Sequence, residues 1–286
     1  MKSNIKNALK EIGACCSGVV RARIFDDFLP IISKRGKVSL CESDIQKRIN
    51  PFLTYPFAKS IVVCLFSYNT GKKCLISEYA LGEDYHTVIK KRLSSVLEIL
   101  KVNGYEAECF VDNSPLSDRH LAYLAGLGFF GMNGMLINEE FGSKVFIAGI
   151  VTDCELEEDK PVENSICAKC RKCIEICPGG AIGDDFGFDE NKCVSFLTQK
   201  KGELSEQEEK IIKESGYIWG CDICQNVCPY NYSIKYTNIH EFMHNDNDIE
   251  KITEDMSNKE FKKIFGNRAY AWRGKSVLIR NMDIFK

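Results

Sequence analysis

The stretch Cys167-Ala-Lys-Cys170-Arg-Lys-Cys173-Ile-Glu-Ile-Cys177-Pro178 decides how the rest of the chain can fold. Its spacing, C-x2-C-x2-C-x3-C-P, holds a [4Fe–4S] cluster with three thiolates and sends the fourth cysteine to a second cluster. The short spacers let one loop place three thiolates around one cluster, while the following helix carries the fourth away. The stretch therefore predicts a ferredoxin-like domain.

A second run, Cys221-Asp-Ile-Cys224-Gln-Asn-Val-Cys228-Pro229, supplies three further cysteines, and Cys193 lies between the two runs. Together they make eight cysteines, the number that two [4Fe–4S] clusters need. If the crossed arrangement applies, one cluster is held by Cys167, Cys170, Cys173 and Cys228. The other is then held by Cys177, Cys193, Cys221 and Cys224.

Structural zinc and disulfides are weaker interpretations of these cysteines. A structural zinc site would need sets of four cysteines arranged as C-x2-C pairs. Zinc explains neither the third cysteine of the first run nor the two Cys-Pro endings. Disulfides are not favoured because the chain opens with a charged segment and shows no apolar secretory leader. Outside the two runs and Cys193, the cysteines are scattered without metal spacing, and Cys64 and Cys109 lie in apolar runs typical of a core. We expect a reduced, cytoplasmic iron–sulfur protein.

The overall composition is that of an ordinary soluble domain or pair of domains. Of 286 residues, 44% are hydrophobic and 27% charged. No apolar stretch approaches the roughly 18 residues needed to span a bilayer, so we expect no membrane association. The net charge of −2 excludes nucleic-acid binding driven by global charge. A nucleic-acid substrate would have to meet a local basic face, for which 90–92, 169–172 and 262–275 are candidates.

The chain divides into three parts and is predicted to be an α+β protein. We expect residues 1–157 to form an N-terminal α/β domain, residues 158–235 a ferredoxin-like double-cluster domain, and residues 236–286 a short helical segment. Within the cluster domain, Ser205-Glu-Gln-Glu208 is a capping-box match that predicts a helix over 206–215.

Strand and helix signals alternate in the N-terminal part. Residues 58–67, 106–111 and 144–151 predict strands. Between them, residues 85–102 carry apolar residues at helical spacing. These are Ile89, Leu93, Val96, Leu97 and Leu100. Strand, helix and strand at these lengths predict a sheet covered by helices.

Asp112 is the N-terminal residue with the strongest case for chemistry. It follows a predicted strand directly, where open α/β sheets place their ligand crevice, so it is a candidate proton donor or ligand contact. The alternative is a carboxylate that caps the helix near Pro115. Four glycines within 126–134 would let the backbone approach a bulky ligand. His86 and His120 could titrate near neutrality, or could equally be satisfied surface or core residues.

Several motifs occur in one order between about Arg48 and Asn281. They are Tyr79-Ala-x-Gly82-x-Asp84-Tyr85-His86, Val-Asp112-x-x-Pro115-x-x-Asp118-Arg119, Ala-Gly126-Leu-Gly128-Phe-x-Gly131, Cys193-Val-Ser195-Phe-Leu-Thr, Gly220-Cys-Asp222-x-Cys-Gln225-x-Val-Cys-Pro and Leu278-Ile-Arg280-Asn281. With the cysteine runs, this combination resembles the epoxyqueuosine reductase family, cobalamin-dependent iron–sulfur enzymes of tRNA modification.

The resemblance implies cofactors, a reaction and partners. Cobalamin would lie between the N-terminal domain and the cluster domain, and electrons would pass through two [4Fe–4S] clusters to remove the epoxide oxygen of epoxyqueuosine in tRNA. It implies that Asp112 is the proton donor. Cobalamin contacts are expected at Arg48, Tyr85, Asp112, Gly131, Asn133 and Ser195. We also expect a low-potential electron donor such as a flavodoxin or ferredoxin, and a monomer.

The chain departs from the family pattern at two places. It carries Met132 where members commonly have a lysine, and we expect a short form that ends at Lys286 without the helical-repeat domain that helps many members to grip tRNA. Two other functions stay open at this point. One is a corrinoid reductase of another substrate, similar to reductive dehalogenases. The other is an electron-transfer protein without substrate chemistry, for which replacing Asp112 would leave function intact.

Overall fold

A computed structural model describes residues 1–35, 39–162, 167–243 and 248–286. The strands are β1 (Cys16–Arg21), β2 (Ser60–Ser67), β3 (Ala107–Val111), β4 (Phe129–Phe130), β5 (Leu136–Ile137) and β6 (Val145–Thr152). The α-helices are α1 (Lys2–Glu11), α2 (Leu29–Arg35), α3 (Ile45–Ile49), α4 (Tyr85–Val102), α5 (Asp118–Leu124), α6 (Lys172–Glu175), α7 (Val194–Leu197), α8 (Glu206–Ser215), α9 (Ile223–Asn226), α10 (Asn258–Phe265) and α11 (Lys275–Asp283).

The main sheet has four strands in the order β1-β2-β6-β3. All three hydrogen-bonded pairs in it are antiparallel. The predicted sheet with covering helices is confirmed, and the structure adds the direction of its strands. Strand β6 returns between β2 and β3, so these two strands still point the same way and α4 connects them. Their carboxyl ends therefore meet at one edge of the sheet.

Both faces of the sheet are buried, which explains the continuous apolar run of β2. Every residue of β2 is buried. Because successive side chains alternate between faces, Val62 and Phe66 pack with α1 and α4, and Val63 and Leu65 pack with α5. Cys64 is fully buried, as predicted. Helix α4 occupies the predicted span and buries four of its five predicted apolar positions, while Leu97 is partly buried.

The C-terminal helices belong to the same core as α4. Phe261 and Phe265 of α10 and Leu278 of α11 are buried in the cluster of apolar residues that also contains Leu93. The predicted boundaries at 157 and 235 stay predictions. None of the helices in the described parts of the chain is long and apolar enough to cross a membrane.

The cysteine-rich region has a small core of its own and a firm contact with the sheet domain. Its apolar residues Val194, Leu197, Ile211 and Ile212 pack together. Helix α8 begins with the predicted capping box, in which the Ser205 and Glu208 side chains bond each other's backbone N–H groups. An isolated parallel bridge then joins Ile76 to Trp219.

A buried polar network fastens the two regions beside that bridge. Asp222 accepts hydrogen bonds from the Ser77 hydroxyl at 2.5 Å and from the Glu78 backbone N–H at 2.7 Å. Glu78, whose side chain is 2% exposed, pairs with Lys144 of the segment that opens β6 at 2.5 Å. The Gly71 backbone N–H also donates to Glu78, at 2.7 Å. Each buried charge therefore has partners, the condition under which burial of charge is tolerated.

Breaking the Glu78–Lys144 pair should cost far more stability than breaking an exposed pair. Lys144→Met leaves the Glu78 carboxylate buried without its counter-ion, and we expect a loss of about 3 kcal/mol in the free energy of unfolding. Lys235→Met is the matched control, because its partner Glu140 is 60% exposed, and it should cost less than about 1 kcal/mol. Chemical denaturation measures both; equal losses would contradict a structural role for the buried pair.

Candidate active site

Asp112 lies at the sheet edge where β2 and β3 both end. It follows β3 directly and adopts a left-handed backbone conformation with φ of 56°. Such a conformation costs a non-glycine residue roughly 1–3 kcal/mol and is concentrated at functional sites. The Asp112 side chain is 63% exposed. The edge therefore presents this carboxylate to any molecule that binds there.

Tyr85, the first residue of α4, fixes the orientation of that carboxylate. Its hydroxyl donates to Asp112 Oδ2. Its buried ring stacks on Phe146 with centroids 4.1 Å apart and an angle of 7° between the ring planes. Burial, followed by the charge of Asp112, raises the pKa of Tyr85 above its ordinary value, so the hydroxyl stays a proton donor.

Helix capping does not explain Asp112. The cap of α4 is Asp84, which accepts the His86 backbone N–H at 3.0 Å and lies 2.8 Å from His86 Nδ1. The residue that precedes α5 is Ser117. His86 Nε2 is 3.9 Å from Asp112 Oδ2, so His86 belongs to the same edge. His120, by contrast, is buried and stacks on Phe28, and it is a packing residue.

The loop that follows Asp112 contains polar atoms that call for a ligand. The Ser117 backbone N–H donates to the Arg48 carbonyl at 3.3 Å, which brings Arg48 to the loop. Among the described residues, Ser117 Oγ and Asp118 Oδ1 are buried without a hydrogen-bond partner. Burial, followed by the charge of Asp112, raises the pKa of Asp118 well above its ordinary range. Unsatisfied buried oxygen atoms suit a ligand rich in amide donors.

The first cysteine group forms the wall of a cavity. Its lining includes Cys167, Cys170, Cys173 and Cys228 together with Gly131, Met132 and Asn133. Between the cysteines, Lys169 and Arg171 adopt left-handed conformations with φ of 50° and 64°. Alternation of this kind turns backbone N–H groups into a concave nest, the arrangement found around iron–sulfur sites. This group matches the crossed set predicted for one cluster.

The second cysteine group is recognised by its mutual electrostatics. Burial, followed by the charges of Cys221, Cys193 and Cys177 among others, raises the pKa of Cys224 well above that of a free thiol. Binding of a metal cluster would require these thiols to lose their protons and bind as thiolates. No three described His, Cys, Asp or Glu side chains converge closely enough to hold a single metal ion. The ligand assignment itself stays a prediction.

An aromatic contact joins the second cysteine group to Asp112. Trp219, two residues before Cys221, donates from Nε1 to the Tyr79 hydroxyl at 2.9 Å. The Tyr79 ring lies edge-on to Tyr85 with centroids 6.2 Å apart. Tyr85 in turn holds Asp112. A series of side-chain contacts therefore leads from the residue two before Cys221 to the carboxylate.

Comparison with known proteins identifies the family. The family model described as epoxyqueuosine reductase QueG, DUF1730 matches residues 48–113, and a 4Fe-4S double cluster binding domain matches residues 166–231. The epoxyqueuosine reductase of Bacillus subtilis is 34% identical, with 98% of this chain and 77% of that protein covered. The chain belongs to the epoxyqueuosine reductase family. The epoxyqueuosine reductase of Lactococcus garvieae is 37% identical, with 84% of this chain and 72% of that protein covered.

Solved structures agree with this family. The epoxyqueuosine reductase of Streptococcus thermophilus has a TM-score of 0.88 at 31% identity, covering all of this chain and 80% of that one. An epoxyqueuosine reductase structure with a tRNA-Tyr epoxyqueuosine-modified stem loop has a TM-score of 0.88 at 32% identity, with 99% and 80% covered. A catabolic reductive dehalogenase has a TM-score of 0.50 at 17% identity, which shows a related fold alone.

Within this family fold, the other predicted contacts fall in three places. Arg48 lies at the Asp112 loop, and Gly131 and Asn133 lie at the first cysteine group. Ser195 lies in α7 after Cys193, and its carbonyl accepts Gln199 Nε2 at 2.8 Å. Their roles as cobalamin contacts stay predictions. Sequence reasoning did not assign a role to Tyr79 or Trp219, although Tyr79 opens a family motif and Trp219 precedes the second cysteine run.

Paired cysteine substitutions should distinguish the crossed from the uncrossed arrangement. If Cys177 and Cys193 bind the same cluster, then Cys177→Ser/Cys193→Ser removes one cluster and leaves about four iron atoms per chain. Cys193→Ser/Cys228→Ser should remove both. The uncrossed arrangement predicts the opposite outcome for the two double variants. Iron and sulfide analysis after anaerobic reconstitution provides the measurement, with Cys41→Ser as a control because Cys41 is exposed and belongs to neither group.

Proposed function

We propose that this chain converts epoxyqueuosine to queuosine in tRNA by a two-electron removal of the epoxide oxygen. The observation that carries the proposal is the exposed Asp112 carboxylate, held by Tyr85 and linked through Tyr79 to Trp219, two residues before Cys221. Family membership supports the substrate, because a relative's structure contains an epoxyqueuosine-modified stem loop. The proposed compartment is the cytoplasm, because the cysteine thiols of the chain stay reduced there.

Two kinds of cofactor fit the residues around this edge. Two [4Fe–4S] clusters would be held by the two cysteine groups in the crossed arrangement. Cobalamin would be held at the edge, where the buried Ser117 and Asp118 oxygen atoms could accept hydrogen bonds from its amide groups. Its proposed contacts are Arg48, Tyr85, Asp112, Gly131, Asn133 and Ser195. When bound, cobalamin supplies a strongly reducing cobalt centre, for which the clusters are suitable low-potential electron sources.

Asp112 would deliver the proton that the departing epoxide oxygen needs. The Tyr85 hydroxyl occupies Oδ2, so the transferred proton is carried on Oδ1. The left-handed backbone at Asp112 and the stacked Tyr85 ring keep the carboxyl group at the edge. A carboxyl group fixed in this way costs little reorganisation at the moment of proton transfer.

Exposure of the cysteines suggests the direction of electron flow. Cys170 of the first group is exposed, whereas all four cysteines of the second group are half-buried. Side-chain contacts also link Trp219, two residues before Cys221, to Tyr79 and the Asp112 edge. Electrons would therefore enter at the first group from a low-potential donor, such as a flavodoxin or ferredoxin, and leave from the second.

Asp112→Asn should abolish turnover while leaving both cofactors bound. Loss of a positioned general acid costs at least about a hundredfold in rate. Glu108→Gln is the matched control, since Glu108 is an exposed carboxylate on β3, the strand that Asp112 follows, and it should keep full activity. The assay uses anaerobically reconstituted protein, epoxyqueuosine-containing tRNA and a strong chemical reductant, with nucleosides analysed by mass spectrometry.

Each outcome of this assay selects one function. An inactive wild type with both cofactors bound would remove the proposed substrate and favour reduction of another compound. Active Asp112→Asn would contradict proton donation by Asp112. A wild type that binds clusters without cobalamin would leave an electron-transfer protein.

Tyr85→Phe should lower kcat by roughly ten- to a hundredfold, because a hydrogen bond to a charged group contributes about 1.5–3 kcal/mol. The phenyl ring keeps the stacking on Phe146, so cluster content and thermal stability should change little. Steady-state kinetics with the same tRNA gives the result, and an unchanged kcat would show that Tyr85 does not orient Asp112.

A further inference from the structure

The side-chain amide of Asn133 has a hydrogen-bond partner at its oxygen, while its nitrogen is buried without one among the described residues. Its Oδ1 accepts the Met135 backbone N–H at 3.2 Å. Because a backbone N–H can only donate, the atom facing it must be the oxygen, which fixes the direction of the amide. Among the described residues, Asn133 Nδ2 is buried and lacks an acceptor. A buried N–H₂ group of this kind needs an acceptor.

The surroundings of Asn133 supply that acceptor in the form of the first cysteine group. Asn133 lines the same cavity as Cys167, Cys170, Cys173 and Cys228. Met132 lines it too and is 8% exposed, so the wall of the cavity beside the amide is apolar. A sulfur atom of the bound cluster is the acceptor that this lining would bring to the amide.

Gly131 keeps the amide in this position. A Cβ atom at residue 131 would lie 2.6 Å from Asn133 Oδ1 and 2.8 Å from Ile137 Cδ1. Both atoms are at the ends of side chains, so an added methyl group would push the Asn133 amide and the end of Ile137 out of their places. Gly131 therefore leaves the space that the amide occupies, and the hydrogen bond from Met135 sets its direction.

We propose that the Asn133 amide donates a hydrogen bond to a sulfur atom of the cluster held by the first cysteine group, and so sets the reduction potential of that cluster. This inference rests on the proposed function in that it requires a [4Fe–4S] cluster at these cysteines. A reduced cluster carries one more negative charge than an oxidised one, so a donor stabilises it more and raises the potential. On this inference the Asn133 amide contacts the cluster and not cobalamin, and Asn133 is a positioning residue for electron transfer.

The test is an EPR-monitored redox titration of the reconstituted full-length chain. Asn133→Leu should shift the potential of the first cluster to more negative values and leave that of the second cluster in place. Gly131→Ala should shift it in the same direction by displacing the amide. Met132→Leu is the control, since it keeps an apolar side chain in the cavity, and it should leave both potentials unchanged. Cys193→Ser and Cys228→Ser, each expected to lack one cluster, assign the two signals.

The outcomes separate this inference from the proposed function. A wild type without a first-cluster signal would overturn both. A first-cluster potential that is unchanged in both Asn133→Leu and Gly131→Ala would overturn the hydrogen bond alone, and reduced cobalamin binding in those variants would reassign the amide to cobalamin. If Asn133→Leu fails to take up the cluster, Asn133→Ser replaces it, because its hydroxyl can still accept from Met135 but is too short to reach the cluster. Loss of an exchangeable-proton coupling in ENDOR spectra of the variant would confirm the donor.

Discussion

The buried network of Asp222, Glu78 and Lys144 is the constraint on which the rest of the structure depends. It joins a residue between two predicted cluster ligands to a turn of the sheet domain and to the segment that opens β6. A buried charge left without its partner is expensive, so the three side chains hold a single arrangement. The cluster-binding domain therefore meets the sheet in one register, marked by the bridge between Ile76 and Trp219.

This register is what makes the sheet edge useful for redox chemistry. Because Trp219 is fixed beside Ile76, its indole N–H reaches Tyr79, and Tyr79 lies against Tyr85. Tyr85 in turn donates to the Asp112 carboxylate. Packed aromatic side chains have little freedom to move, so the carboxylate keeps a constant position relative to Trp219 and the cysteine run that follows it. The family supplies the reaction, and this series of contacts links the sheet edge to the cysteine-rich region.

The sequence predicted features that depend on local spacing and left out those that depend on long-range geometry. Helix α4 and the capping box at Ser205 follow from residues close together in the chain. The antiparallel return of β6 could not be predicted, because alternation of apolar residues carries no information on strand direction. The pairing of Glu78 with Lys144 joins residues 66 positions apart. The left-handed backbone conformation of Asp112 could not be predicted either, because the sequence marks such a conformation clearly only at a glycine.

The most direct test of the central claim, that cobalamin and the second cluster share the Asp112 edge, is the EPR spectrum of bound cobalamin in its Co(II) state. We measure it with the clusters oxidised and again with the clusters reduced. Reduction should broaden the cobalt signal in the wild type through magnetic coupling, and the broadening should weaken in Cys177→Ser/Cys193→Ser. A cobalt signal that is identical in both cluster states would show that the cofactor binds elsewhere and would contradict the account.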